Sequence, residues 1–123
     1  MLKLKTKWFN KWATKNSISD VLLIETLDDL SKNLGTSSLG GGLFKVRTKR
    51  IGQGKSGGYR TLIAYKEAEK AIFTYGFSKT ESDNLATDEL KSLKKFAKDL
   101  LQISNEEYER QIKLGNFYLL EED

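Results

Sequence analysis

The sequence predicts an α+β fold built as one domain over residues 1–123, with two N-terminal helices packed on one face of a small antiparallel sheet and further helices toward the C-terminal end. Three observations carry that expectation. Aromatic and leucine side chains recur at helical spacing near the start of the chain, the period falls to two residues from Leu43 onward, and helical spacing returns from Leu90.

A short strand candidate at Leu2 to Thr6 opens the chain. Trp8, Phe9 and Trp12 follow at a spacing that predicts one or two turns of helix held by aromatic core contacts. Ser17 to Asp20 resembles a capping box, and Leu23, Leu27, Leu30 and Leu34 then predict an amphipathic helix of roughly four turns, stopped at Gly35. From Leu43 to Lys49, Phe44, Val46 and Thr48 alternate with Lys45, Arg47 and Lys49, the pattern of a strand with one buried and one wet face. Tyr59 to Lys66 and Ala71 to Ser78 are rich in β-branched and aromatic residues, and the polar segment Glu67 to Lys70 between them suits an antiparallel hairpin. Thr87 is placed to cap a helix whose apolar side is Leu90, Leu93, Phe96, Ala97, Leu100 and Leu101. Ser104 to Glu107 reads as another capping box before a last helix ending near Gly115.

Composition narrows the chemistry. The chain has no cysteine and no histidine, which removes disulfides, thiolate metal sites and the commonest metal ligand and general base. No metal site and no cofactor is expected, and catalysis would fall to Lys, Arg, Tyr, Ser/Thr or carboxylates. No apolar run approaches the ~18 residues of a membrane span, and no apolar stretch of signal-peptide length follows the N-terminal lysines, so a cytoplasmic protein is expected.

Charge is the strongest functional signal. Lys45, Arg47, Lys49, Arg50, Lys55, Arg60 and Lys66 put seven cations and no acid between Gly40 and Lys66. Without those seven, 14 basic residues face 17 acidic ones, so the net charge of +4 is local in origin. Like charges along one face of a sheet repel, and a purely structural sheet has little reason to keep them without acidic partners. The segment Gly52 to Gly57 matches G-x-G-x-x-G by letter, but a strand rather than a helix follows it, which excludes a dinucleotide or P-loop reading. A glycine hairpin whose backbone approaches a phosphodiester chain, with Lys55 and its neighbours supplying charge, remains beside the plain solvated turn. Tyr59, Tyr65, Tyr75 or Phe77 offer rings for base stacking.

These residues carry a resemblance. Gly41 to Arg47, the glycine loop with Tyr59-Arg60 and the apolar run to Tyr65, then Tyr75 to Lys79 followed by Glu81 to Asp83, together with Lys5 to Ala13, are similar to the RelE/ParE superfamily of bacterial type II toxins, within its RelE/HigB-like branch. The likeness runs over roughly residues 3 to 101, and residues from about 103 to 123 read as a C-terminal extension. The resemblance implies a ribosome-dependent mRNA endonuclease that cuts A-site codons with the RNA's own 2′-hydroxyl as nucleophile and is held inactive by a cognate antitoxin. Such chemistry needs a base, a charge clamp and an acid, which a His-free cationic site supplies.

Carried over by position, the resemblance places Lys45, Arg47, Arg60 and Lys79 in the catalytic set, while local charge and the ring of Tyr59 make Lys49, Arg50, Lys55 and Tyr59 the expected RNA or ribosome contacts. Arg47 stands where well-known members have lysine, and arginine does not deprotonate, which leaves Lys45 as the base of that pair. The family's C-terminal stacking aromatic falls near Leu85, so either another ring such as Tyr59 or Phe77 takes its role or activity is weaker. A ParE-like gyrase inhibitor is the reading against which the four basic positions argue. A noncatalytic RNA-binding domain is the other alternative. The tail Phe117 to Asp123 is expected either to dock on the core or to join the antitoxin interface.

Overall fold

The computed structural model describes residues 1–49, 58–79 and 85–121. The elements run β1 (Leu2–Thr6), α1 (Lys7–Lys15), α2 (Asp20–Ser31), β2 (Thr36–Gly40), β3 (Leu43–Thr48), β4 (Tyr59–Lys66), β5 (Lys70–Ser78), α3 (Thr87–Gln102), α4 (Asn105–Lys113) and β6 (Phe117–Leu119). All six strands form one sheet in the order β2-β3-β4-β5-β1-β6.

The α+β class holds, with two corrections to its arrangement. The sheet is mixed, because β1 lies parallel to β5 while the other neighbours are antiparallel. Helices cover both faces rather than one. Phe9, Ala13, Leu23, Leu27 and Leu30 of α1 and α2 pack on Val46, Ile63 and Phe73, whereas Ala97 and Leu100 of α3 and Tyr108 of α4 pack on Leu4, Leu43, Leu62 and Ile72. Adjacent strand residues such as Leu62 and Ile63 therefore enter different cores, since successive side chains point to opposite faces. Strand β4 shows no polar alternation because it is buried on both sides.

Local chemistry sets the helix ends. Thr6 Oγ1 accepts from the Phe9 amide at 3.1 Å to start α1. Ser19, not Ser17, caps α2 by accepting from Leu22 N at 3.3 Å, and α2 stops at Ser31, leaving Leu34 exposed. The expected Thr87 cap is displaced by one position: Ala86 is the cap residue of α3, without a side-chain bond. Ser104 caps α4 as expected, accepting from Glu107 N at 3.1 Å. Of the aromatics expected in the core, Phe9 is buried, Trp12 half-buried and Trp8 exposed. Phe96 also faces solvent.

The C-terminal segment is tied into the domain. Strand β6 pairs with β1, Leu120 joins the first core, and the Glu121 amide donates to Asp20 Oδ2 at 2.9 Å while Lys5 Nζ holds Asp20 Oδ1 at 2.7 Å. The docking version of the tail expectation therefore holds for residues 117–121. Tyr108 anchors α4, its hydroxyl donating to the Leu100 carbonyl at 2.6 Å in full burial.

Burial pushes the Tyr108 phenol well above its ordinary value of 10.0. The native state keeps this proton where the unfolded chain releases it, so the contribution is complete below pH 10.0 and is lost as pH rises above it. Tyr108→Phe is expected to lower stability by about 1 kcal/mol at neutral pH and to flatten the alkaline decline in urea-unfolding midpoint. An unchanged alkaline decline would show that Tyr108 does not set it.

Candidate active site

Strand register gathers the basic residues. On β3 the two-residue period sends Lys45 and Arg47 to the face of Leu43, while Phe44, Val46 and Thr48 face α1 and α2. Across the antiparallel ladder Arg47 stands opposite Arg60, and Arg60 opposite Phe77, so all three share one face. The Lys79 amide donates to the Gly58 carbonyl at 3.3 Å, which brings that lysine to the same end of the sheet.

Helix α3 covers this face over Leu43, Leu62 and Ala64 but leaves its other end open. There a cavity of about 510 Å³ is lined by Gly35, Thr36, Ser37, Lys45, Arg47, Arg60 and Lys79. Among the described residues its wall is thus four cations carried by or just after three consecutive strands, two hydroxyls and one glycine. Among the described residues no carboxylate forms an ion pair with any of the four cations. Directly opposed like charges lie only about 5 Å apart at Cβ in such a ladder and destabilise it.

Arg60 is only 7% exposed, and its Nη1 donates to the Tyr59 carbonyl at 3.3 Å. A guanidinium carries five N–H donors, and among the described residues this backbone bond is the one hydrogen bond the Arg60 side chain makes. Arg47 is positioned from behind. Its amide donates to the Gly35 carbonyl at 3.1 Å, and a Cβ on Gly35 would sit 3.3 Å from Arg47 Cδ, while the φ of +58° there also favours glycine.

Beneath the cations, on the other face, buried hydroxyls lock β3 and β4 to α2. Thr26 Oγ1 donates to the Leu22 carbonyl at 2.8 Å, so Thr48 supplies the proton between Thr26 and Thr48 at 3.0 Å. Thr61 Oγ1 lies 3.1 Å from Thr48 Oγ1 and 3.3 Å from the Val46 carbonyl, so its single proton is shared between these two acceptors. Such a satisfied network rigidifies the floor of a site.

Several expected contacts fall elsewhere. The Tyr59 ring is buried on the α1 face, edge-on to Trp12 at 5.3 Å, with its hydroxyl donating to Asn16 Oδ1 at 3.4 Å. It is one position out of phase with Arg60, so it serves the core and is not available for stacking. Lys49 is exposed past the end of β3 and does not line the cavity. Leu85 packs against the second core. Arg50, Lys55, the glycine loop 51–57 and residues 81–83 lie outside the described residues.

Thr36 and Ser37 join the site without a signal of their own in the sequence. They belong to β2, a polar edge strand with no hydrophobic alternation, and the glycine stop at Gly35 is the one local hint of a new element.

A family model described as the RelE toxin of the RelE / RelB toxin-antitoxin system matches residues 1–120. The chain belongs to the RelE toxin family. As a RelE-family protein it is the toxin of a toxin-antitoxin system, and membership implies a cognate antitoxin as partner. The match runs through α4 and β6, so these elements lie within the family model as well as within the fold. Neither the curated proteins nor the solved structures compared with the chain include a significant match. Among the described residues of this RelE-family chain, no helix is long and apolar enough to cross a membrane, and no cluster of His, Cys, Asp or Glu is arranged to hold a metal ion.

Proposed function

We propose that this RelE-family toxin is a ribosome-dependent mRNA endonuclease acting on A-site codons in the cytoplasm. The observation that carries the reading is the convergence of Lys45, Arg47, Arg60 and Lys79 on one cavity, with no carboxylate paired to them among the described residues. A phosphodiester fits that charge, and the cleavage steps match the groups present. The RNA 2′-hydroxyl loses its proton to Lys45 and its oxygen bonds to phosphorus. Arg60 and Arg47 hold the extra negative charge of the phosphorane. The bond to the 5′-oxygen then breaks, with Lys79 giving that oxygen its proton, leaving a 2′,3′-cyclic phosphate and a 5′-hydroxyl.

The cognate antitoxin would then act by covering or distorting the cationic face, through a contact that is acidic or salt-sensitive.

Primer extension on mRNA incubated with the purified protein, with and without programmed ribosomes, tests the reading. The expected result is cuts inside A-site codons that require the ribosome. No cleavage by a folded protein that still binds RNA would replace the proposal with a noncatalytic RNA-binding domain. Inhibition of gyrase supercoiling in the absence of cleavage would replace it with a ParE-like inhibitor.

A further inference from the structure

We propose that the outer face of α1 is a second RNA-binding surface, on which Trp8 and Trp12 stack against bases while Lys7, Lys11 and Lys15 hold phosphates. The proposal extends the RNA reading of the cationic cavity to a different part of the molecule and does not depend on cleavage.

The charge is the first argument. Helix α1 carries three lysines and no acid in nine residues, and their spacing of four puts them in one stripe. All three are exposed, and among the described residues none is in an ion pair.

The rings are the second. Trp8 remains 47% exposed although it stacks on Tyr75 with centroids 4.5 Å apart, and Trp12 lies nearly parallel to it, at 11° and 6.2 Å. A groove of about 230 Å³ is lined by Trp8, Lys11, Trp12 and Lys15 alone among the described residues. Exposed aromatic faces beside mobile cations are the means by which proteins hold single-stranded nucleic acid.

The groove is also continuous with the cationic face. Strand β1 pairs with β5 only as far as Phe73, so past that point Trp8 of α1 meets the edge of β5 at Tyr75. Tyr75 lies 6.3 Å from Phe77, which stands opposite Arg60 in the ladder. A row of rings thus leads from the α1 groove to the cationic face. An acidic peptide would satisfy the lysines but leave the parallel rings unused, whereas an RNA strand engages both.

The chain's two tryptophans both line this groove, so intrinsic fluorescence reports on it directly. The test is titration of the full chain with a 2′-O-methyl oligoribonucleotide, which has no free 2′-hydroxyl and separates binding from cleavage. Saturable quenching is expected with the oligonucleotide and not with polyglutamate. The double variant Lys11→Ala, Lys15→Ala should bind about tenfold more weakly or worse near 0.1 M salt and lower the log-log salt slope by about 1.4, at about 0.7 per phosphate contact. Both lysines are exposed and alanine favours helix, so an unchanged circular dichroism spectrum and thermal midpoint are expected. Absence of quenching, equal quenching by polyglutamate, or unchanged affinity in the double variant would each overturn the proposal, and equal quenching would identify the face as a docking site for acidic protein segments. Ribosome-programmed cleavage by the same preparation is scored separately, so failure of either idea leaves the other standing.

Discussion

On the proposed nuclease function, Arg60→Ala is expected to lower ribosome-programmed cleavage by about 10²–10³-fold, the usual effect of deleting one preorganised donor to a developing anion, while the thermal midpoint should stay at or above that of the parent protein. Two features lead to this pairing. The guanidinium is nearly buried, its one hydrogen bond among the described residues goes to the adjacent carbonyl, and Arg47 stands across the ladder from it with no carboxylate of the described residues in an ion pair with either. A cation kept in that setting opposes folding through repulsion, so its removal relieves the sheet at the same time as it empties the site. Arg60→Lys keeps the charge but loses the planar fork that can hold two phosphate oxygens together, and should fall between the two. Primer extension and a thermal melt on the same samples check both halves. Full cleavage by Arg60→Ala would remove this residue from the catalytic set, and a large drop in midpoint would show that its role is structural.

The largest expected effect on stability comes from Gly76→Val. Secondary-structure preference points the wrong way here, since valine suits a strand better than glycine on a scale spanning about 1 kcal/mol, and loss of glycine's freedom in the unfolded chain adds about 0.4–1 kcal/mol in the same direction. Packing reverses the sign. A Cβ at this position would overlap the Trp12 ring, with Cη2 at 2.5 Å and Cε3 at 2.7 Å. The ring has little room to retreat, because Trp8, Phe9 and Tyr59 contact it at centroid distances of 6.2, 5.4 and 5.3 Å. Overpacking of this kind costs about 1–3 kcal/mol or more, and we expect a net loss of about 2 kcal/mol, a large share of the ~5–15 kcal/mol that holds a domain together. Urea unfolding in the parent and in a Trp12→Leu background measures it. The substitution should become neutral or stabilising once the large ring is gone, and equal destabilisation in both backgrounds would show that Trp12 is not the obstacle.

Much of the site is legible in the sequence. The alternation of Lys45 and Arg47 with Phe44 and Val46 shows which side chains share a face, and the Tyr59-Arg60 pair with Lys79 after the next strand carries the family likeness. Pairwise spacing is sufficient because the three strands that bear the cations are consecutive and antiparallel, so short-range pattern and hairpin geometry fix their neighbours.

Other features depend on contacts distant in sequence. Strand β1 inserts between β5 and β6, and its parallel pairing has no local signature. Strand β2 supplies Thr36 and Ser37 to the cavity, yet its polar residues carry no period. The all-buried β4 conceals which face each residue serves, so whether Tyr59 or Arg60 looks into the site is decided by register with β3 alone.

The sequence by itself therefore determined the class of elements, the excess of cations and the chemistry left to a chain without histidine or cysteine. Tertiary structure alone decided that helices would cover both faces, that α3 would leave the Arg47-Arg60 end of one face open, and that the Trp8-Trp12 face of α1 would remain at the surface. The physical reason is that periodicity reports only that a side chain needs cover, whereas the identity of the cover, and where it stops, follows from long-range pairing and packing.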